Sequence, residues 1–170
     1  MITQEELKTK LNYDPDTGIF THKKRYGGVA IGSIAGGPGA WGMRIMVCGT
    51  HYASHRLAWL YMTGSFPADQ IDHINRNPRD NRFCNLREAT NTQNQRNCGL
   101  RVDNTSGFKG VYRPKGRKKF EAYSYCEGKK KRLGYFDTAL EASEAYEAYA
   151  KEHFGEFYSA TGLPNISWMC

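Results

Sequence analysis

A carboxylate, an imidazole and an amide lie in the middle of the chain, in Asp72, His73 and Asn94. The Asp72 carboxylate is a hard, anionic ligand for a metal ion. If the backbone is extended there, the side chain of His73 points to the opposite side of the strand. Asn94 follows Asp72 by 22 residues (94 − 72), on a predicted helix that can fold back onto the strand. One metal ion could then bind Asp72 and Asn94 while His73 faces an attacking water.

The surrounding sequence predicts a strand, a loop, a second strand and a helix, which must position these three groups. An extended segment covers 70–74, and a polar loop covers 75–81. A second short strand is expected over 85–89, and Thr90 is expected to cap the helix that follows. The resulting ββα unit spans about residues 69–98.

Small helices and strands are predicted before this unit. Capping residues, turn residues and alternating apolar positions mark their ends. The predicted elements are a helix capped by Thr3 and Glu6 that ends near Leu11, a turn over 14–18, a strand over 18–22, a glycine-rich loop over 27–39, a hairpin of 41–47 with 51–53, and a helix that Ser54 caps and Gly64 ends.

The composition is typical of a protein that works inside the cell. No apolar run is long enough to span a membrane, and the polar, acidic N-terminus is not a signal peptide. The five cysteines are scattered without a Cys-x-x-Cys spacing, which argues against a disulfide framework and against structural zinc. We therefore expect an intracellular protein with five reduced thiols, most of them packing residues.

Charge is sorted along the chain, which has a net charge of +7. Ten Lys or Arg residues lie between Lys109 and Arg132, against only two glutamates. The next stretch, 138–158, has one lysine and five glutamates. A concentrated basic segment indicates a polyanionic partner.

This basic segment predicts a second domain, which follows a linker at 104–107. Three strands are expected over 109–113, 119–126 and 129–136, followed by a helix to about Phe154 that Asp137 or Thr138 caps. In the middle strand, Phe120, Ala122, Ser124 and Cys126 should face the helix, which leaves tyrosines on the open face with Arg113, Lys130 and Arg132.

A basic sheet face with interleaved aromatic rings has the right size to enter a major groove of DNA. The alternative is that the tyrosines are ordinary strand formers and the lysines form a solubilising surface. We predict DNA contacts for Arg113, Lys115, Arg117, Lys119, Tyr123, Tyr125, Lys130 and Arg132.

The first hundred residues resemble the HNH homing-type endonucleases of phages and mobile introns. Several spaced positions match this family together, and two upstream motifs are typical of its phage branch. The matching residues are Ile71-Asp72-His73-Ile74-Asn75, Asp80-Asn81-Arg82, Asn85-Leu86-Arg87, Thr90 and Gln93-Asn94, with Tyr13-Asp14-Pro15-Asp16-Thr17-Gly18 and His55-Arg56-Leu57-Ala58-Trp59 upstream.

The resemblance implies a role for each residue of the central group. His73 would be the general base, and Asn85 would brace the loop and hold His73 in orientation. Asp72 and Asn94 would be the protein ligands of one divalent ion. Asn94 stands where many members of the family have the last histidine of the His-Asn-His pattern, although the homing-type branch commonly has Asn there. Two oxygen ligands without an imidazole favour Mg²⁺ or Mn²⁺.

Other polar residues around the motif receive simpler interpretations. Asn81, Asn91 and Asn97 are interpreted as turn and cap residues, and His55 as a packing or bracing residue. Some of the surrounding arginines should contact phosphate, with no assignment among Arg76, Arg79, Arg82, Arg87 and Arg96.

The second domain resembles the plant APETALA/ethylene-response-factor DNA-binding domain, which also occurs fused to phage HNH nucleases. That family reads the major groove with its sheet face, so the resemblance implies the fold and the docking mode. It does not imply the sequence preference, since several reading positions here are tyrosines. The matching residues are Ser106-Gly107, Lys109-Gly110-Val111, Lys119-Phe120, Leu133-Gly134-Tyr135-Phe136-Asp137-Thr138 and the alanine-rich helix.

Together these observations predict an α+β protein. A ββα-metal (His-Me finger) nuclease domain, preceded by small strands and helices, should cover 1–103. A three-stranded antiparallel sheet packed on one helix should cover 104–160, with a tail over 161–170. The expected function is metal-dependent hydrolysis of double-stranded DNA by a monomer, with a dimer as the alternative, in a bacterial cytoplasm if a phage encodes it. The alternative function is a non-catalytic DNA-binding regulator that keeps the nuclease fold.

Overall fold

The computed structural model describes residues 1–158 except 26, 41 and 127. These residues divide into two compact units, the first ending at Asn94 and the second beginning at Gln95. The division falls inside a helix, nine residues (103 − 94) before the expected domain boundary. The predicted tail, the last two residues of the predicted second domain, and the predicted positions Trp41, Glu127 and Cys170 lie outside the described residues.

The first unit begins with a helix and a hairpin. Helix α1, Gln4–Lys10, has the predicted capping box between Thr3 and Glu6. Strand β1, Leu11–Asp14, pairs antiparallel with β2, Ile19–His22. Strand β1 was not predicted, and the helix was expected to continue to Leu11. Alternate residues of β1 are buried, which places Leu11 in the core as the first residue of a strand.

A three-stranded sheet and a helix follow. Its strands are β3, Gly37–Gly39, β4, Gly42–Val47, and β5, Thr50–Ala53, in antiparallel order. The expectation of a loop over 27–39 was therefore wrong at its end, where the glycine-rich segment pairs with β4. Helix α2, Ser54–Thr63, ends at Gly64 as predicted, but its N-cap residue is Ala53 and no side chain caps it.

The predicted strand-loop-strand-helix order is confirmed in the rest of this unit. Strand β6, Gln70–His73, pairs antiparallel with β7, Leu86–Ala89, and a 3₁₀ turn, Phe83–Asn85, leads into β7. Helix α3, Asn91–Asn97, follows, and Thr90 caps it reciprocally with Gln93. The strands join the core of the first unit through the buried side chains Ile71 and Leu86.

The second unit is a three-stranded antiparallel sheet with a helix, as predicted. The strands are β8, Val111–Tyr112, β9, Phe120–Cys126, and β10, Lys129–Phe136, with β9 in the centre. Helix α4, Ala139–Phe154, begins with a capping box between Thr138 and Glu141. A 3₁₀ turn, Gly155–Phe157, follows it.

The core of this unit lies between the sheet and α4, where Val111, Ala122 and Ala142 are buried. The four described cysteines are exposed, so the expectation that most cysteines are packing residues was wrong for Cys48, Cys84, Cys98 and Cys126. Within the described part of the chain, every helix is too short or too polar to cross a membrane.

Candidate active site

Strand β6 presents Asp72 and His73 to different surroundings, as alternation along a strand requires. Asp72 lies opposite Arg87 in the register of β6 and β7, and its carboxylate contacts that arginine. His73 instead contacts the ring of His55 and the side chain of Asn81. The adjacent acid and imidazole are therefore held by two separate sets of partners.

The Asp72 carboxylate is buried, with 3% of the residue exposed. Arg87 donates to its Oδ2 atom from Nε at 2.9 Å and from a terminal guanidinium nitrogen at 2.7 Å. A buried carboxylate needs such compensation, because taking its charge out of water is costly. Arg87 was expected only as one of several candidates for phosphate contact. Here it balances the charge of the proposed metal ligand.

Asn94 reaches the same side of β6 as Asp72. Its Nδ2 atom donates to Oε1 of Gln70 at 2.7 Å. Gln70 and Asp72 are two residues apart on the strand, so their side chains share one face. Helix α3 therefore brings the Asn94 amide over the face that carries the Asp72 carboxylate, as the sequence spacing suggested.

His73 is buried and held by neutral groups. Its ring meets the ring of His55 edge to face, with centroids 5.1 Å apart, and its Nε2 atom lies 3.1 Å from Oδ1 of Asn81. Burial lowers the pKa of His73, although Asn81 and the nearby carboxylates Asp72 and Asp80 act in the other direction. The imidazole is thus neutral near pH 7, the form that can accept a proton.

His55 contributes a second neutral ring to the site. Burial, helped by the charges of His73 and Arg56, lowers its pKa to about 4. The edge-to-face contact agrees with the interpretation of His55 as a packing or bracing residue.

Asn85 braces the loop between β6 and β7. Its Oδ1 atom accepts from the backbone N–H of Asn75 at 2.9 Å. Its Nδ2 atom donates to Oδ1 of Asn75 at 3.0 Å and to the backbone oxygen of Asp80 at 2.8 Å. These three bonds close the loop on itself and match the loop-bracing part of the role expected for Asn85. Whether Asn85 also orients His73 stays a prediction.

Two loop residues, Asn81 and Arg82, also belong to the site, although Arg82 was expected only as a candidate for phosphate contact. Asn81, interpreted as a turn or cap residue, is 3% exposed and contacts His73. Arg82 donates to both carboxylate oxygens of Asp80, at 2.8 and 2.6 Å, and this pairing holds the pKa of Asp80 below its usual value. Burial of an asparagine in an otherwise polar loop has no local sequence signal.

The oxygen donors of Asp72 and Asn94 fit a small, hard divalent ion. One carboxylate and one amide oxygen leave most coordination positions to water and phosphate oxygens, which is typical of Mg²⁺. Among residues 1–158 outside the three undescribed positions, no three His, Cys, Asp or Glu side chains are grouped to hold a metal ion.

In the second unit, the open sheet face carries a row of tyrosines. Rings of Tyr112 and Tyr123 lie 5.4 Å apart and those of Tyr123 and Tyr125 5.9 Å apart, both edge to face. The ammonium group of Lys130 lies 4.5 Å from the centre of the Tyr112 ring and 4.6 Å from that of Tyr123. The predicted combination of aromatic rings and a cation on one face is therefore present.

Glu121 changes the electrostatics of that face. The residue is 2% exposed, and its carboxylate accepts from Tyr112 Oη at 2.9 Å and lies 2.7 Å from Lys130 Nζ. Arg132 Nε lies 3.4 Å away. Burial alone would raise the pKa of Glu121, but the bonds from Lys130 and Tyr112 and the charges of Lys130 and Arg132 hold it below its usual value.

The turn between β8 and β9 adds an exposed basic surface. Arg113, however, lies beside Phe120 of the helix-facing set, 5.7 Å from its ring centre, and not among the tyrosines as expected. Lys119 pairs with Asp137 at 3.2 Å. An open groove here is lined by Thr105, Ser106, Arg113, Lys115, Arg117 and Lys118.

Comparison with known families finds a match around the candidate site. The model of a family described as HNH endonuclease matches residues 52–96, a segment that contains Asp72, His73, Asn85 and Asn94. No curated protein and no solved structure matches the chain. The family match supports a nuclease activity and a nucleic-acid substrate. Because it ends at residue 96, it gives no support to the resemblance of the second unit to the APETALA/ethylene-response-factor domain.

Proposed function

We propose that the chain is a DNA endonuclease that hydrolyses phosphodiester bonds with one divalent metal ion and His73 as general base. The observation that carries the proposal is the geometry of β6. Asp72 and a neutral, buried His73 are adjacent on this strand, and α3 brings Asn94 to the Asp72 face. All of these residues lie in the segment that matches the HNH endonuclease family.

His73 would take a proton from the water that attacks the phosphorus atom. Its low pKa keeps the imidazole unprotonated at neutral pH, and the His55 and Asn81 contacts limit its rotation. General-base catalysis is typically worth about 10²–10⁴ in rate. Asn85 would act on the same step indirectly, because it holds the loop that carries Asn81.

Asp72 and Asn94 would hold the metal ion, with Mg²⁺ or Mn²⁺ as the expected metal. When bound, such an ion neutralises charge on the phosphoryl oxygens and on the departing 3′ oxygen. Arg87 would keep the Asp72 carboxylate in place on the strand.

The second unit would bind double-stranded DNA and raise the affinity of the enzyme for its sites. The exposed cations Arg113, Lys115, Arg117, Lys119, Lys130 and Arg132 would contact phosphates, and Tyr123 and Tyr125 would contact bases. Support comes from the concentration of these cations on one sheet and its β8–β9 turn. The docking of the sheet into a major groove, as in the APETALA/ethylene-response-factor family, is part of this proposal.

Cleavage of a supercoiled plasmid tests the proposal most directly. We expect Mg²⁺ or Mn²⁺ to support cleavage, chelator to stop it, and nicked circles to precede linear DNA, because one ββα-metal site in a monomer cuts one strand at a time. Product ends should carry 5′-phosphate. A well-folded protein that binds DNA but leaves the plasmid intact with either metal would instead be the non-catalytic regulator.

A further inference from the structure

Asn81 is a buried polar residue that contacts the Nε2 atom of His73, and the proposed chemistry gives it no role beyond limiting the rotation of the ring. Its Oδ1 atom lies 3.1 Å from Nε2 of His73, and its Nδ2 atom donates to the backbone oxygen of Arg79 at 3.4 Å. Because a backbone carbonyl can only accept, the Nδ2 end of the amide must face Arg79. The Oδ1 end therefore faces the imidazole.

This orientation selects one tautomer of His73. Oδ1 is an acceptor, so the ring nitrogen that faces it must carry the hydrogen. A neutral imidazole with its hydrogen on Nε2 has its lone pair on Nδ1. Nδ1 is then the nitrogen that can take a proton from water.

The backbone of Asn81 is itself held by the hairpin of β1 and β2. The hydroxyl of Tyr13 donates to the backbone oxygen of Asn81 at 2.7 Å, in a buried bond that joins residues 68 positions apart. Gly18 has a φ of +72°, and a Cβ atom there would lie 2.4 Å from the carbonyl carbon of Asn81. A third contact also joins the N-terminal hairpin to this loop: the backbone N–H of Phe83 donates to the backbone oxygen of Pro15 at 3.0 Å.

We propose that Asn81 is a positioning residue for His73, and that Tyr13 and Gly18 hold the Asn81 peptide in place for this purpose. The N-terminal hairpin then supports the active site by holding Asn81, although it carries no reacting group. The inference rests on the proposed function, since it assigns the nitrogen of His73 that acts as the base.

The first experiment substitutes Asn81 in the full-length protein. Asn81→Leu removes the acceptor at similar volume, whereas Asn81→Asp keeps an acceptor oxygen. We expect kcat to fall by roughly tenfold to a hundredfold in the leucine variant, within the usual range for general-base catalysis. KM for DNA should stay unchanged, and the aspartate variant should recover most of the activity.

The second readout is independent of cleavage. Long-range ¹⁵N–¹H correlation spectra of the histidine-labelled protein distinguish imidazoles protonated at Nε2 from those protonated at Nδ1. We expect the Nε2–H form for His73 in the wild type and in Asn81→Asp, and a mixture of the two forms in Asn81→Leu.

The hairpin is tested with two matched pairs of variants. Tyr13→Phe removes the hydroxyl bonded to Asn81, and its control is Tyr61→Phe, whose ring packs against that of Tyr13 in the same core. Gly18→Ala adds a clash to an unfavourable φ, and its control is Gly49→Ala, which has a similar φ of +75° and open space around it. We expect kcat to fall severalfold in the first member of each pair only.

The outcomes separate this inference from the proposed function. Cleavage that survives His73→Ala overturns the proposed function, while the tautomer spectra still test the contact. A wild-type enzyme that cleaves with His73 protonated at Nδ1 overturns the positioning role. So does an unchanged kcat in Tyr13→Phe together with an unchanged His73 spectrum in a folded Asn81→Leu variant.

Discussion

The two units hold their charged and polar groups in opposite ways. In the first unit, Asp72, His73 and Asn81 are buried, and each lies against a named partner. Among the described residues of the second unit, the cations of the sheet and of its β8–β9 turn are exposed, and the carboxylate of Glu121 is buried beneath Lys130 and Arg132. Bond hydrolysis requires fixed geometry, whereas attraction to a polyanion depends mainly on the number of cations. Single substitutions should therefore be severe in the first unit and graded in the second.

The largest effect is expected for His73→Ala. If His73 is the general base as proposed, its loss should reduce cleavage by at least about a hundredfold, while DNA affinity changes little. The measurement is plasmid nicking under single-turnover conditions, alongside a binding titration. His51→Ala, an exposed histidine on β5, is the control and should cleave like the wild type. Retention of more than about a tenth of the wild-type rate would exclude His73 as the base.

The next prediction distinguishes the roles of the two proposed metal ligands, Asp72 and Asn94. Asp72→Asn should abolish cleavage at any Mg²⁺ concentration and lower Tm, because Arg87 loses its buried charge partner. Asn94→Asp should keep cleavage and lower the Mg²⁺ concentration needed for half the maximal rate, since it adds an anionic oxygen ligand. Metal titrations of cleavage measure both effects.

Asp69→Asn is the matched control for charge, as an exposed aspartate three residues before Asp72. It should leave the metal titration unchanged. If Asp72→Asn cleaves normally in Mg²⁺, the ligand assignment is wrong.

A graded effect is expected in the second unit. Replacing Arg113, Lys115, Arg117 and Lys119 together with Gln should weaken DNA binding and flatten its dependence on salt. Each lost phosphate contact should reduce the slope of log K against log salt by about 0.9. Binding titrations at several salt concentrations give the slope. Lys151→Gln on α4 is the control, and an equal change in that variant would show that the basic turn has no special part in binding.

The smallest effect concerns the pH dependence of stability through Glu121. The pKa of Glu121 is lower in the folded protein than its ordinary value of 4.5. Its contribution to stability is therefore present above about pH 4.5 and is lost as the pH falls through the folded pKa. Glu121→Gln should lower Tm by a few degrees at pH 7, and the difference from the wild type should shrink at lower pH.

Glu121→Gln also tests the comparison between the two units, because Lys130 and Arg132 lose their buried anionic partner. We expect tighter DNA binding at low salt together with lower Tm. If the difference in Tm between the wild type and Glu121→Gln stays constant from pH 7 to pH 3, the ionic role of Glu121 is contradicted.

Local sequence patterns were sufficient to predict the ββα order and the placement of Asp72, His73 and Asn94 within it. Asp72 and His73 take different surroundings because side chains alternate along a strand, whatever the rest of the fold does. Thr90 and Thr138 cap their helices because the capping box involves only residues three positions apart. These features depend on neighbours in the sequence, so the sequence alone determined them.

The tertiary structure decided which polar residues are buried and what they contact. Asn81 contacts His73, and Tyr13, 68 residues earlier, bonds to the backbone oxygen of Asn81. Strand β1 was not predicted because Leu11 continues the apolar pattern of α1. Its extended backbone is seen only in the structure, where Leu11 packs in the core. Glu121 sits on the face expected to be open, yet Lys130 and Tyr112 from two neighbouring strands cover it. Each of these results depends on contacts between distant segments, which neither periodicity nor residue type encodes locally.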